Sequence, residues 1–275
     1  LRGADITPAD VRDADVLIVR TRTRCDERLL AGSRVQLVVT ATIGYDHLDT
    51  QWLERRGIAW TNCPGCNATS VAQWVRASLL ALQQDGGLRL ADSTLSVVGY
   101  GYVGRAVAAA MRPLVADIVV SDPPLFGHPL PYANMSLREA AARAGIITFH
   151  TPLERNGEFP TWHMADDRFF QDLGQPAVLL NAARGGVVDE AALLRALRSG
   201  SISYALIDTW EGEPDINLEL LAEAYMATPH IAGYSADGKA NASRMAVEAV
   251  ARHFGLACDT SSVVPPAPMS PAPYD

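Results

Sequence analysis

The sequence predicts an α/β protein, with a doubly wound parallel sheet and a second, smaller α/β unit. Three observations carry this. Short apolar runs alternate with helical stretches along most of the chain, as in parallel strands covered on both faces. One such run, Leu95-Ser96-Val97-Val98, leads into Gly99-Tyr100-Gly101-Tyr102-Val103-Gly104 and then an Ala-rich helical run, Arg105 to Met111. A further β-branched run, Ile118-Val119-Val120, ends at Ser121-Asp122. Strand, glycine turn, helix, strand and acid in this order make a Rossmann-type dinucleotide unit, whereas the glycines alone would be an ordinary turn.

Each residue of that unit has a physical task. Gly99 permits the tight turn, Gly101 lets a pyrophosphate approach the backbone, and Gly104 lets helix and strand pack closely. Tyr102 and Val103 stand between Gly101 and Gly104, ahead of a helix N-terminus where unpaired N–H groups and the dipole favour an anion. Asp122 is placed to accept hydrogen bonds from ribose hydroxyls, and no arginine follows it to receive a 2′-phosphate, so NAD is the expected cofactor rather than NADP.

The earlier elements form a smaller flavodoxin-like α/β unit. Asp15 to Val19 and Gln36 to Thr40 read as strands, Thr50 to Arg56 as a helix, and Ile58-Ala59-Trp60 as a short strand. A helix follows over Ser70 to Gln84, and Asp85-Gly86-Gly87 ends it. Later strands read as Ile146 to Phe149, Ala177 to Leu180 and Tyr204 to Ile207, and Gly238 to Phe254 as a last helix. The expected organisation is 1–69 as the first part of a substrate domain, 70–233 as the dinucleotide domain with its linking helix, 234–262 as a helix returning to the substrate domain, and 263–275 as an extended or disordered tail with five prolines.

The chain of 275 residues is 48% hydrophobic and 20% charged, the composition of an ordinary soluble protein. A net charge of −8 argues against nucleic acid as a partner. No apolar run approaches a membrane span and no signal-peptide pattern opens the chain, so the expected location is cytoplasmic. Cys63-Pro64-Gly65-Cys66 has metal or redox spacing, but no second cysteine pair or histidine cluster completes a zinc site; it reads as two reduced thiols around a turn, and no metal is expected.

Ligands of such sheets bind at the carboxyl ends of the strands. The segments there are His150 to Leu153, Asn181 to Gly186, Asp208 to Pro214 and Thr228 to Tyr234. One Arg, one Glu and one His on these loops suit oxidation of a hydroxy acid. The Arg184 fork matches a carboxylate, the His230 imidazole takes a hydroxyl proton, and Glu213 beside it orients the ring. Position alone leaves ordinary alternatives open: Arg184 as a surface residue, Glu213 as a solvated acid, His230 as a packed histidine.

Asn181-Ala182-Ala183-Arg184-Gly185-Gly186-Val187-Val188-Asp189, Asp208 to Pro214 and Thr228 to Tyr234 together resemble the D-isomer-specific 2-hydroxyacid dehydrogenases. Thr40 to His47, Pro64 to Ala68, Asp122-Pro123-Pro124, Thr148 to Leu153 and His230 to Ser235 resemble a branch of that family acting on a phosphorylated acid. The resemblance covers about residues 10 to 256. It implies NAD-dependent oxidation of a 2-hydroxy acid to the 2-oxo acid. Arg184 would hold the substrate carboxylate, and His230 would be the acid/base with Glu213 its partner. Thr151, Asp208 and Gly233 would contact the cofactor, and Thr21, Thr42 and Tyr234 the substrate. His150 competes for the base role. A related dehydrogenase of another hydroxy acid and a non-catalytic NAD-binding protein are the alternatives.

The resemblance also implies a strand and helix ahead of Asp15 and a C-terminal dimerisation domain of roughly a hundred residues. The expectation is that this opening and that domain are missing here, as in a trimmed product or a shortened homologue; the expected assembly is a homodimer. Finally, Arg20-Thr21-Arg22-Thr23-Arg24 follows the first strand. Read as extended, it puts Arg20, Arg22 and Arg24 on one side, as a phosphate site or as a solvated basic edge. Arg20 is the candidate taken from it.

Overall fold

The computed structural model describes residues 3–266. The tail expected over 263–275 lies, from residue 267 on, outside the described residues. The chain divides into two compact units: Leu1–Asn67 with Ser235–Asp275, and Ala68–Tyr234.

The first unit opens with helix α1 (Pro8–Val11), strand β1 (Val16–Val19), α2 (Glu27–Leu30), β2 (Leu37–Thr40), α3 (Thr50–Arg55) and β3 (Ala59–Thr61). The three strands are parallel, in the order β1-β2-β3. Two short helices start on aspartate caps: Asp26 accepts from the Leu29 amide and Asp49 from the Trp52 amide, each worth about 1 kcal/mol. Leu17, Val19 and Val38 of the strands pack with Leu29, Leu30, Trp52 and Leu53 of these helices.

The segment after β1 corrects the extended reading of Arg20 to Arg24. The Thr23 amide donates to the Arg20 carbonyl at 3.2 Å, closing a turn. Thr23 is buried, with its hydroxyl on the Gly3 carbonyl at 2.8 Å. That burial draws the chain round, so the three arginines share no strand face. Arg24 pairs instead with Asp26 at 3.1 Å.

The second unit contains α4 (Ala68–Gly86), β4 (Thr94–Val98), α5 (Tyr102–Met111), β5 (Asp117–Ser121), β6 (Ala133–Asn134), α6 (Leu137–Arg143) and β7 (Ile146–Phe149). It continues with α7 (Asp167–Gln171), β8 (Ala177–Asn181), α8 (Glu190–Ser199), β9 (Ile202–Ile207), α9 (Leu218–Glu223) and β10 (Met226–Ala227). The seven strands form one parallel sheet in the order β10-β9-β8-β7-β4-β5-β6. β4 has β5 on one side and β7 on the other, and at this switch point the connections diverge and open a crevice.

Alternation along the strands separates two cores. Leu95, Val97, Val178, Leu180 and Leu206 meet α4 and α5 through Val75, Leu79, Val107 and Met111. Ile147, Phe149, Leu179, Ala205 and Ile207 meet α7 and α8 through Phe169, Phe170, Leu193 and Ala196. The doubly wound parallel sheet is therefore the architecture the apolar runs specify.

Helix α10 (Ala236–Phe254) belongs to the first unit. Ser235 caps it, and Gly255, at φ 67°, ends it. Ala242 and Ala246 pack against Leu37 and Val39 of β2, small side chains that let helix and sheet approach closely. Cys63 and Cys66 are buried free thiols in the same unit.

Candidate active site

The parallel sheet of the second unit places the carboxyl ends of its strands along one edge, and the sequence candidates stand there in order. Gly99 follows β4 with φ 88°. A Cβ on it would lie 2.8 Å from the His150 carbonyl and 2.9 Å from the Thr151 amide, so Thr151 abuts the turn. A Cβ on Gly104 would overlap the Gly99 carbonyl, which fixes the close approach of α5 to the turn. Gly101 faces open space, and as N-cap of α5 it supplies no capping side chain. The first amides of α5, at Tyr102 and Val103, therefore receive no side-chain cap from Gly101, and an uncapped helix start of this kind suits an anion.

Asp122 follows β5. One carboxylate oxygen accepts from the Tyr100 amide at 2.6 Å. Asn134 on β6 brackets its backbone, accepting from the Asp122 amide at 3.0 Å and donating to its carbonyl at 2.9 Å. The acid is tied to the turn it serves. An open glycine cradle, an uncapped helix start and a fixed carboxylate fit a dinucleotide.

Asn181, buried at the end of β8, shapes the turn before Arg184. Its side chain donates to the Arg184 carbonyl at 3.0 Å and accepts from the Ala183 amide at 3.1 Å. Asp208, at the end of β9, is 1% exposed. It accepts from the Thr228 hydroxyl at 2.6 Å and from the Ile231 and Ala232 amides at 2.8 and 2.9 Å. Its visible work is to hold the loop 228–232, with the His230 amide on its own carbonyl at 2.8 Å.

His230 stands in that loop at φ 54°, a left-handed backbone that a non-glycine residue holds only when its surroundings enforce it. Its Nδ1 lies 2.8 Å from Oε2 of Glu213. The other Glu213 oxygen accepts from the Trp210 amide at 2.7 Å. The Trp210 indole donates to the Thr228 carbonyl at 3.0 Å, linking the Glu and His loops. Glu213 thus engages Nδ1 of His230 and not Nε2. His150 differs: its Nε2 meets the Thr148 hydroxyl at 2.9 Å, and burial pushes the imidazole well below its usual range. A histidine kept neutral and without a carboxylate is poorly suited to hold a proton.

Residues 67–232 match the family model for the D-isomer specific 2-hydroxyacid dehydrogenase, NAD binding domain. The chain belongs to the D-isomer specific 2-hydroxyacid dehydrogenases. As a member of that family it is an NAD-dependent dehydrogenase, with its NAD-binding domain in the second unit. Erythronate-4-phosphate dehydrogenase of Bacteroides fragilis is 50% identical over 266 residues, 97% of this chain and 76% of that protein. D-lactate dehydrogenase of Aquifex aeolicus, solved with NAD and lactic acid, aligns with TM-score 0.78 and 25% identity over 92% of this chain and 86% of that one. NAD-bound 3-phosphoglycerate dehydrogenase of Entamoeba histolytica aligns with TM-score 0.79 and 25% identity over 90% and 82%.

The remaining candidates carry substrate in the sequence reading. Arg20 and Thr21 lie exposed in the turn after β1. Thr42 bonds the Thr40 hydroxyl at 2.7 Å and donates to the Gly44 carbonyl at 2.7 Å. Gly233 and the exposed Tyr234 close the second unit, the Tyr234 amide donating to the Ile231 carbonyl at 2.8 Å. Residues the sequence reading missed are Asn181, Asn134, Trp210 and Thr228. They hold functional loops through backbone bonds, and only the fixed spacing of Asn181 before Arg184 hinted at it. Among the described residues no helix is long and apolar enough to cross a membrane.

Proposed function

We propose that this dehydrogenase oxidises 4-phospho-D-erythronate at its C2 hydroxyl to 3-hydroxy-2-oxo-4-phosphobutanoate, a step of pyridoxal 5′-phosphate (vitamin B6) biosynthesis. The observation that carries the chemistry is the 2.8 Å pair of His230 Nδ1 and Glu213 Oε2, at the same sheet edge as Arg184. The name of the 50% identical relative supports the substrate.

NAD, held by the Gly99 to Gly104 turn, Asp122, Thr151, Asp208 and Gly233, supplies the hydride acceptor. Arg184 binds the substrate carboxylate through its planar fork and fixes the C2 carbon. His230 takes the hydroxyl proton at Nε2 as the C2 oxygen becomes a carbonyl, while Glu213 holds the ring. Arg20, Thr21, Thr42 and Tyr234 recognise the rest of the substrate, Arg20 by its charge on the phosphate. The enzyme works as a homodimer in the cytoplasm, a reading that rests on the family resemblance.

The test compares kcat/KM for 4-phosphoerythronate and erythronate in the parent and in Arg20→Ala. The phosphorylated acid is expected to be used at least 10²-fold better, and the variant to lose about tenfold of that preference, the worth of one charge-assisted contact. Equal values for the two acids in the parent would move the assignment to another 2-hydroxy acid.

A further inference from the structure

The second unit contains a second histidine–carboxylate constellation that the reaction as described does not use. It centres on His163, in the segment before α7. This segment lies along the loop that carries Arg184. The His163 amide donates to the Gly186 carbonyl at 2.8 Å, and the Asp189 amide to the Ala165 carbonyl at 3.1 Å. The neighbouring Trp162 ring covers Gly186 so closely that a Cβ there would overlap it. The His163 imidazole stacks on that indole, with centroids 4.2 Å apart and planes 16° apart.

The same imidazole reaches the loop of Glu213. Its Nε2 lies 3.0 and 3.1 Å from the two carboxylate oxygens of Glu211 and, against an acceptor-only carboxylate, donates to them. The Glu211 amide donates to buried Glu190 at 2.7 Å. Trp210, on one side of Glu211, donates its amide to Glu213, three positions on. A Cβ on Gly185 would overlap the Trp210 carbonyl, so the Arg184 and Glu213 loops also touch directly. His163 achieves this span at φ 50°, an unfavourable backbone for a residue with a Cβ. A backbone held in this region is over-determined by what surrounds it.

We infer that His163 is a positioning residue of this dehydrogenase: it locks the loop of Arg184 to the loop of Glu213, with Glu211 as its partner. Arg184 must hold the substrate while Glu213 fixes His230, so the two loops need one geometry. A shift of about an ångström between such groups costs on the order of 10²-fold in rate. His163 touches neither substrate nor cofactor in this account. The inference rests on the reading of Arg184, Glu213 and His230 given above.

The test uses the full chain with 4-phosphoerythronate and NAD. H163N replaces the ring by a side chain that tolerates the left-handed backbone and is too short to bridge. E211A removes the partner, and E211Q keeps an acceptor oxygen. H163N and E211A are expected to lower kcat about tenfold to 10²-fold. NAD affinity, from fluorescence quenching, stays within about twofold, and E211Q stays within about threefold of the parent kcat. The double variant H163N/E211A is no slower than H163N, because both remove one link. Parent-like kcat in H163N, with a lowered melting temperature alone, would overturn the inference, as would losses that multiply in the double variant. Where H163N does not fold, the contrast between E211A and E211Q decides: equal kcat in the two overturns it. Arg184→Ala and His230→Ala run in the same assay. Their retaining turnover sinks the catalytic reading itself, whereas their losing it while H163N does not sinks only the role of His163.

Discussion

His230 and Glu190 show how single side chains around the Glu213 loop are set by their neighbours. His230 is presented by a strained backbone, a carboxylate on Nδ1 and a loop fastened by Asp208. His230→Ala is expected to lower kcat by about 10²–10⁴-fold, the worth of a positioned acid/base. NAD affinity should change little, since the glycine cradle is untouched. Near-normal turnover in that variant, together with its loss in His150→Ala, would exchange the two histidines. Glu190 is 7% exposed, and its carboxyl is raised above the ordinary glutamate value. Burial is the main cause, and the charges of Glu211, Glu213 and Asp189 add to it. The sign follows from linkage. At a pH below the ordinary glutamate value both folded and unfolded states carry the proton, and no cost arises. As pH rises past it, the unfolded chain ionises more readily, and the folded state loses stability until the raised value is passed. Glu190→Gln keeps an oxygen for the Glu211 amide and removes the charge. Its melting temperature should exceed the parent's at neutral pH, with the gain vanishing below about pH 4, near the ordinary carboxyl value. A variant less stable than the parent at neutral pH would refute this.

At the level of elements, the turn between β4 and α5 is where backbone space is tightest. Gly104→Ala places a methyl into the Gly99 carbonyl, so helix and turn must separate. Overpacking of this kind costs about 1–3 kcal/mol. It also moves the first amides of α5, so NAD affinity measured by titration should fall at least about tenfold; unchanged affinity would mean that the turn absorbs the methyl elsewhere. This unit was legible in the sequence because each glycine answers a separate steric demand at fixed spacing. The long buried strands were legible for a similar reason, since runs such as Ile146 to Phe149 admit few other readings. The two-residue strands β6 and β10 were not, because two residues carry no periodicity. The turn at Arg20 to Thr23 was missed because it depends on burying Thr23 against Gly3, a contact distant in sequence. The placement of Arg184, Glu213 and His230 on loops after the strands was legible from the order of the elements. The fastening of the His230 loop by Asp208 was not, because its donors are mostly backbone amides, which the sequence does not distinguish.

The whole molecule consists of two units with their own cores, and NAD chemistry belongs to the one that spans Ala68–Tyr234. Ligand binding to the folded state must then appear as stability of the protein. At a hundredfold excess over its dissociation constant, a ligand adds about 2.7 kcal/mol. For a unit of this size that is a rise of roughly 5–10 °C in melting temperature. Which dinucleotide does this depends on Asp122. Its carboxylate is anchored at 2.6 Å on the Tyr100 amide and its backbone on Asn134, so it cannot swing away from an incoming group. Pro123 and Pro124 follow, and neither offers a cation. A 2′-phosphate would face this fixed charge, and two like charges about 4 Å apart near a protein surface repel by up to about 4 kcal/mol. A free ribose hydroxyl instead donates a hydrogen bond to it. NAD should therefore raise the melting temperature at concentrations where NADP does not, and kcat/KM should favour NAD by at least about 10²-fold. Asp122→Ser, which removes the charge and keeps a small polar group, should narrow that gap from the NADP side. Equal thermal shifts and equal kcat/KM for the two dinucleotides in the parent would show that Asp122 does not select the cofactor.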